Sequence, residues 1–310
     1  MDDEPATSRI TAPLPSEGEG APEPLPPAVR EKARGDAIGR YLALKIIGRG
    51  GMGVVYAAYD PELDRKVAIK LVAVTPSGTT RQQRQARLMR EAQAMARVAH
   101  PNVVAVHDVG VTEDGVFVAM DLVQGDTLKR WLQAQPRQPL EVLRAFVEAG
   151  RGLVAAHAAG LVHRDFKPEN VLVSTGGRVM VTDFGLARLV SGDGEISLPP
   201  PIAEPARQRA LDKDVTRTGA VLGTPQYMSA EQFAGAAPDE RSDQFSFCAA
   251  LYFGLFRERP FDPDQMRAHA LGLDFAPPAS PVRPVPQDRR VPARVRRALE
   301  RGLQLRPEDR

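Results

Sequence analysis

Between two apolar runs, the segment Leu161–Val173 reads LVHRDFKPENVLV. Asp165 follows His163 and Arg164, Lys167 stands two residues after Asp165, and Asn170 stands five after it. A carboxylate, an ammonium and a carboxamide on one short loop suit transfer of a phosphoryl group to an alcohol. The carboxylate would orient the hydroxyl and accept its proton, the ammonium would offset phosphoryl charge, and the amide oxygen would ligate magnesium. Taken alone, the loop reads better as a chance charged turn. Its meaning depends on whether companion groups stand around it in order.

Three companions do. Gly48, Gly50 and Gly53 form a Gly-x-Gly-x-x-Gly pattern after Ile47. Dinucleotide-binding folds use this pattern too, but there it opens a helix, whereas here GVVYAAYD follows and reads as a strand. A glycine hairpin between strands can lay its N–H groups over phosphates without side-chain obstruction. One strand later, Val67, Ala68, Ile69 and Lys70 alternate, which puts Ala68 and Lys70 on one face to meet a base and the α/β-phosphates. Asp183, Phe184 and Gly185 follow Asn170 after a hairpin at Gly176 and Gly177. Asp183 with Asn170 would hold a hard cation that prefers oxygen ligands. His163 reads as a packed ring near Phe184 rather than a base or metal ligand.

Composition agrees. The chain has 310 residues, 43% hydrophobic and 26% charged, with a net charge of +2. That balance gives no reason to expect nucleic acid as a partner, and no apolar run reaches the ~18–20 residues of a membrane span. The lone Cys248 excludes an internal disulfide, and the acidic N-terminus is unlike a signal peptide. A soluble, cytoplasmic protein is expected. Only seven of the 41 basic residues are lysine, so each is worth inspecting as a place where chemistry accepts a compact ammonium and not a planar guanidinium. Lys70 and Lys167 fall in the segments above; Lys32, Lys45, Lys66, Lys129 and Lys213 read as surface positions.

The elements that must position these groups follow from pattern. Residues 1–36 carry seven prolines and few large apolar residues and read as a disordered extension. Order is expected from Tyr41. YLALKIIG, GVVYAAYD, KVAIKLVAV, VVAVHDVG and GVFVAMDLV read as five strands, with a helix over 80–98. Thr127–Gln135, Leu140–Gly160, Asp239–Phe256 and Pro292–Leu305 read as helices, and LVH, VLVS and VMVT as short strands around the loop. Residues 191–215 are Pro-rich, with no predicted element.

From about Tyr41 to Arg310 the chain resembles the eukaryotic-like Ser/Thr protein kinases of bacteria. IGRGGMGVV, VAIK, REAQAMARVAHPNVV, HRDFKPEN, DFGLAR and GTPQYMSAEQ occur in the family's order and spacing. The resemblance implies an α+β, two-lobed fold, with a five-stranded, one-helix ATP-binding N-lobe over 37–121 and a mainly helical C-lobe over 122–310. It implies ATP with Mg²⁺, or Mn²⁺ in its place, and protein substrates that include the chain itself in trans. Ile47, Gly48, Gly50 and Gly53 would cover the phosphates. Val55, Ala68 and Leu172 would sandwich adenine, Met120 would be the gatekeeper, and Asp121–Val123 the hinge. Lys70 would pair with Glu91, and Asp165 would be the base with Lys167 beside it. Thr224 would bond to both of these, which favours Ser/Thr over Tyr acceptors, and Asp243 would anchor the loop. Arg164 before Asp165 implies a phosphate-ordered activation segment, with Thr216 and Thr218 as first acceptors and Ser191 and Ser197 behind them.

Two departures stand out. Ser229, Ala230 and Glu231 replace the family's Ala-Pro-Glu, and the Arg that pairs with that Glu is Arg310, the last residue. The family's following helix is thus expected to be missing and the terminal Arg to fray, weakening the Glu231 contact. A catalytically weak or inactive nucleotide-binding scaffold is the alternative this leaves open.

Overall fold

The computed structural model describes residues 31–50, 53–72, 86, 89–90, 92–184, 224–272, 280–288 and 290–310. The N-terminal part is one antiparallel sheet of β1 (Ala37–Ile38), β2 (Tyr41–Gly50), β3 (Gly53–Asp60), β4 (Arg65–Val72), β5 (Val106–Thr112) and β6 (Gly115–Asp121), in the order β1-β2-β3-β4-β6-β5. It has six strands rather than the expected five, because Ala37 and Ile38 pair with Leu42 and Tyr41. Order also begins earlier than Tyr41: Gly35 N–H donates to the Ala43 carbonyl at 2.8 Å, and Ala43 N–H to that of Asp36 at 2.9 Å. The expected helix over 80–98 is described at Ala86, at 89–90 and at 92–95.

Period-2 alternation divides the sheet into two faces. Val54, Tyr56, Val67, Ile69, Leu71 and Phe117 cluster on one. Val55, Ala68, Val118, Met120 and Leu172 cluster on the other. Burial of apolar area on both faces is what holds so small a lobe together. β2 and β3 slip register between Ala43 and Lys45 and between Ile46 and Gly48, which bends the hairpin that ends at the Gly50–Gly53 pair. Gly53 has φ 148°, and a Cβ there would strike the Leu71 carbonyl, so this position admits only glycine.

The C-terminal part packs β7 (Gly125–Thr127), α1 (Leu128–Ala134), α2 (Pro139–Ala158), β8 (Val171–Ser174), β9 (Val179–Val181), α3 (Ala230–Phe233), α4 (Glu240–Phe256), α5 (Pro263–Ala270) and α6 (Ala293–Gly302). Caps set the helix starts: Thr127 Oγ1 accepts from Arg130 N–H at 3.2 Å, and Asp239 Oδ1 from Arg241 and Ser242. α2 and α4 bury Phe146, Ala149, Leu153, Phe245, Ala249 and Tyr252 in the largest core. Cys248 is buried there, and desolvation pushes its thiol up to about 12, so it stays an inert thiol. VLVS and VMV form β8 and β9 as expected, but LVH is not a strand; β8 pairs instead with β7. No helix among the described residues is long and apolar enough to cross a membrane.

Candidate active site

The loop from Leu161 to Asn170 leaves α2 and enters β8, and its shape is imposed from below by α4. Asp243 is fully buried in that helix and accepts from His163 N–H at 2.6 Å and Arg164 N–H at 2.7 Å. The His163 amide is therefore spent on a side chain, and Leu161 N–H donates to the Ala156 carbonyl at 2.9 Å at the end of α2, so neither can join a ladder and LVH makes no strand. Arg164 sits at φ 68°, a left-handed conformation that non-glycine residues adopt only when held. The Asp243 carboxylate does the holding. His163 is wholly buried, its ring centroid 4.8 Å from that of Phe184. Its Nε2 lies 2.9 Å from the Thr182 carbonyl, so that nitrogen carries the proton, and Nδ1 accepts from Asp165 N–H at 3.4 Å. With both nitrogens committed, His163 is a strut.

Asp165 is 8% exposed and ringed by donors. Lys167 Nζ lies 2.7 Å from Oδ2, Thr224 N–H 3.2 Å from Oδ1, and Asn170 Nδ2 donates to the Asp165 carbonyl at 2.8 Å. Lys167 Nζ also donates to Thr224 Oγ1 at 2.6 Å. Carboxylate, ammonium and hydroxyl thus form one closed unit. Because the Asn170 amide nitrogen is turned toward Asp165, its oxygen faces the other way and is available as a hard ligand. Thr182 N–H donates to the Asn170 carbonyl at 3.0 Å, which ties the approach to Asp183 to the same turn.

Across the site, Lys70 is 6% exposed and its Nζ lies 2.9 Å from Asp183 Oδ1. Asp183 has φ 65°, a second strained non-glycine position, this time at the proposed metal ligand. Glu91, the expected partner of Lys70, lies outside the described residues, as do Gly185, Thr216, Thr218, Ser191 and Ser197. Val55, Ala68, Met120, Val123 and Leu172 fall in one apolar cluster. Thr182 Oγ1 donates to Met120 Sδ at 3.8 Å. Asp121 N–H donates to the Ala105 carbonyl at 3.0 Å, and the Asp121 carboxylate meets His107 Nε2 at 2.8 Å. Gly48, Gly50 and Gly53 line the hairpin, with Ile47 half-exposed at its base. Oxygen donors at Asn170 and Asp183, the Lys70 ammonium against Asp183, and the apolar cluster of Val55, Ala68, Met120 and Leu172 fit a nucleoside triphosphate with a divalent cation.

The expectation of a frayed Arg310 is overturned. Its side chain is fully buried and binds Glu231 through two bonds, Nη1 to Oε1 at 2.7 Å and Nη2 to Oε2 at 2.9 Å. It also donates to the carbonyls of Arg241, Gln304 and Leu305 and lies 4.8 Å from the Phe245 ring centroid. A planar guanidinium whose donors are spread over five acceptors has no room to fray. Burial pushes the Glu231 carboxyl up, but the Arg310 bonds and charge outweigh it and hold the group below its ordinary 4.5. A carboxylate whose pKa is depressed by folding contributes stability above 4.5 that is lost as pH falls through the folded value. Glu231→Gln is expected to lower stability by about 3 kcal/mol at pH 7, by leaving a buried guanidinium uncompensated. It should also flatten the acid limb of stability below pH 4.5, as read by urea melts across pH. Equal melts for variant and wild type at neutral pH would refute the assignment.

Three supporting residues escaped the sequence reading. His157, in the last turn of α2, places Nε2 2.8 Å from Asp243 Oδ2. Gln232 donates from Nε2 to the Arg164 carbonyl at 2.9 Å, and Ser242 Oγ to Glu231 Oε1 at 2.8 Å. The signal for His157 was present: it stands four residues after buried Leu153 on the same helical stripe. Lys32, read as a surface residue, is ion-paired with Asp114.

A six-stranded lobe, a helical lobe, and a charged cleft built from both define a two-lobed protein kinase fold. The model of the protein kinase domain family matches residues 41–310. Among relatives, the serine/threonine-protein kinase pkn2 of Myxococcus xanthus is 35% identical over 285 residues, covering 87% of this chain and 31% of its own length. PrkC of Bacillus subtilis is 35% identical over 75% of this chain and 33% of its own. PknE of Mycobacterium tuberculosis is 33% identical over 90% and 45%. The kinase domain of M. tuberculosis PknI superposes with a TM-score of 0.63 at 24% identity, covering 90% of this chain and 94% of that one, a likeness of fold. The chain belongs to the protein kinase family, and it spans between about a third and under half the length of the curated relatives named here.

Proposed function

We propose that this chain transfers the γ-phosphoryl group of ATP to Ser and Thr hydroxyls of protein substrates. The observation that supports this most is the closed unit of Asp165, Lys167 and Thr224, in which one ammonium bridges the base and a threonine hydroxyl. Asp165 accepts the substrate proton as the acceptor oxygen bonds to phosphorus and the bond to the β-phosphate oxygen breaks. Lys167 offsets the charge gathering on the transferring group, and Lys70 that on the non-transferred phosphates. Asn170 and Asp183 would hold Mg²⁺, which when bound neutralises phosphate charge. The hairpin at Gly48, Gly50 and Gly53 excludes water from above. The test is purified protein with labelled ATP, Mg²⁺ and a generic protein substrate. Label is expected on Ser and Thr, and absence of label above an Asp165→Asn control would overturn the reading.

Regulation by autophosphorylation belongs to the same proposal. The backbone of Arg164, next to Asp165 in the chain, is fixed by Asp243, and its guanidinium is the group that would clamp an activation-segment phosphate. Mass mapping should find phosphate at Thr216 or Thr218 in wild type and none in Asp165→Asn; equal phosphate on both would exclude self-modification.

A further inference from the structure

Residues 31–36 form a strap joined to the six-stranded lobe at several points. Glu31 meets Arg49 through Oε1 to Nε at 2.9 Å and Oε2 to Nη2 at 3.4 Å. Lys32 N–H donates to Tyr56 OH at 3.1 Å, and Lys32 Nζ lies 2.6 Å from Asp114 Oδ2 in the β5–β6 turn. Asp36 closes the segment on itself by accepting from Ala33 N–H at 2.8 Å, before the bonds to Ala43 anchor it on β2. Tyr56 belongs to the sheet face opposite Ala68 and Lys70, so the strap approaches from behind the nucleotide side.

Arg49 lies between Gly48 and Gly50, opposite Val54 and one pair from the hairpin tip. The two register slips in β2 leave the ladder a poor determinant of the angle at which that tip stands. A side-chain tie at Arg49 supplies the missing constraint. We propose that Glu31 is a positioning residue for phosphoryl transfer, holding the phosphate-covering hairpin through Arg49 and making its angle depend on the segment before the catalytic domain. This rests on the kinase reading above. Both members of the pair are partly exposed, at 45% and 39% of their side chains, so the tie weakens with salt.

In the 310-residue chain, Glu31→Ala is expected to raise KM for ATP about threefold at low ionic strength, the scale of an exposed ion pair, with kcat moving less. The increase should vanish in high salt, where wild type loses the tie as well. Arg49→Glu should match it, and the exchange Glu31→Arg with Arg49→Glu should restore wild-type KM. Hydrogen exchange of amides 46–56 gives a readout independent of catalysis: exchange should quicken in each single variant and recover in the exchange variant. Unchanged exchange in the single variants, or no recovery in the exchange variant, would overturn the strap. A wild-type chain that transfers no phosphate would overturn the kinase reading instead, with the exchange data still deciding on the strap.

Discussion

Asp165→Asn is expected to lower kcat by about 10³-fold while nucleotide affinity stays near wild type. The side chains have nearly the same size, so the loss is chemical. An amide cannot take the substrate proton, and its NH₂ has no acceptor where Oδ2 now stands. That oxygen lies 2.7 Å from Lys167 Nζ and 3.4 Å from Asn170 Nδ2, both of which are donors. Orienting the amide oxygen toward Thr224 N–H would turn NH₂ against the ammonium, and the reverse would leave the Thr224 amide unsatisfied. Lys167 keeps its bond to Thr224 Oγ1 in either case, so the ammonium does not swing free. Asp165→Asn and Lys167→Ala should therefore be strongly non-additive, as expected for groups that act as a unit. Steady-state kinetics and titration with a fluorescent nucleotide separate the two effects. A variant within tenfold of wild-type kcat would mean that Asp165 is not the proton acceptor.

What the sequence reveals here is set by the range over which each group acts. Asp165, Lys167 and Asn170 lie on one turn, so their types and spacing already describe the chemistry. Gly53 is equally legible, since only glycine meets its backbone and steric demands. Partners contributed from elsewhere are harder to read. The family resemblance implies Glu91 as a partner for Lys70, a residue outside the described ones, and the structure places Asp183 against the same ammonium. Gln232 and Ser242 work by gripping backbone or another side chain, which no local pattern records, and the helical spacing of His157 from Leu153 marks its stripe without naming Asp243 as its partner. LVH has the look of a strand but gives its Leu161 amide to the Ala156 carbonyl and its His163 amide to Asp243, and Gly125–Thr127, poor in β-forming residues, pairs with β8 as β7. The strap was hidden by composition. A Pro-rich leader reads as unstructured up to Asp36, yet Glu31 and Lys32 have charged partners that only the folded sheet brings within reach.

Asp243 is the second position where one substitution should have a large effect, and the effect should be on shape. Its carboxylate is 1% exposed and receives two backbone amides and one imidazole. Asp243→Ala would strand the two buried N–H groups at roughly 1–3 kcal/mol each. It would also free Arg164 from a left-handed conformation that itself costs about 1–3 kcal/mol. That relief offsets part of the cost of the two stranded N–H groups, and a net destabilisation of about 1–4 kcal/mol is expected. Relaxation of Arg164 would rotate the peptide leading into Asp165 and disturb its bonds to Lys167 and Thr224, so kcat should fall at least about tenfold even where the variant is fully folded. Asp243→Asn should be intermediate: its oxygen can accept one amide, but its NH₂ would face the other N–H. The diagnostic comparison is with Glu231→Gln, which removes a buried ion partner of similar weight without touching the amides of His163 and Arg164. Thermal unfolding should rank both as destabilised, whereas kcat per folded molecule should fall sharply only for Asp243. Parallel losses in the two variants would reduce Asp243 to an ordinary buried carboxylate. A selective loss would show that the angle of the catalytic loop is set from α4 rather than by the loop's own residues.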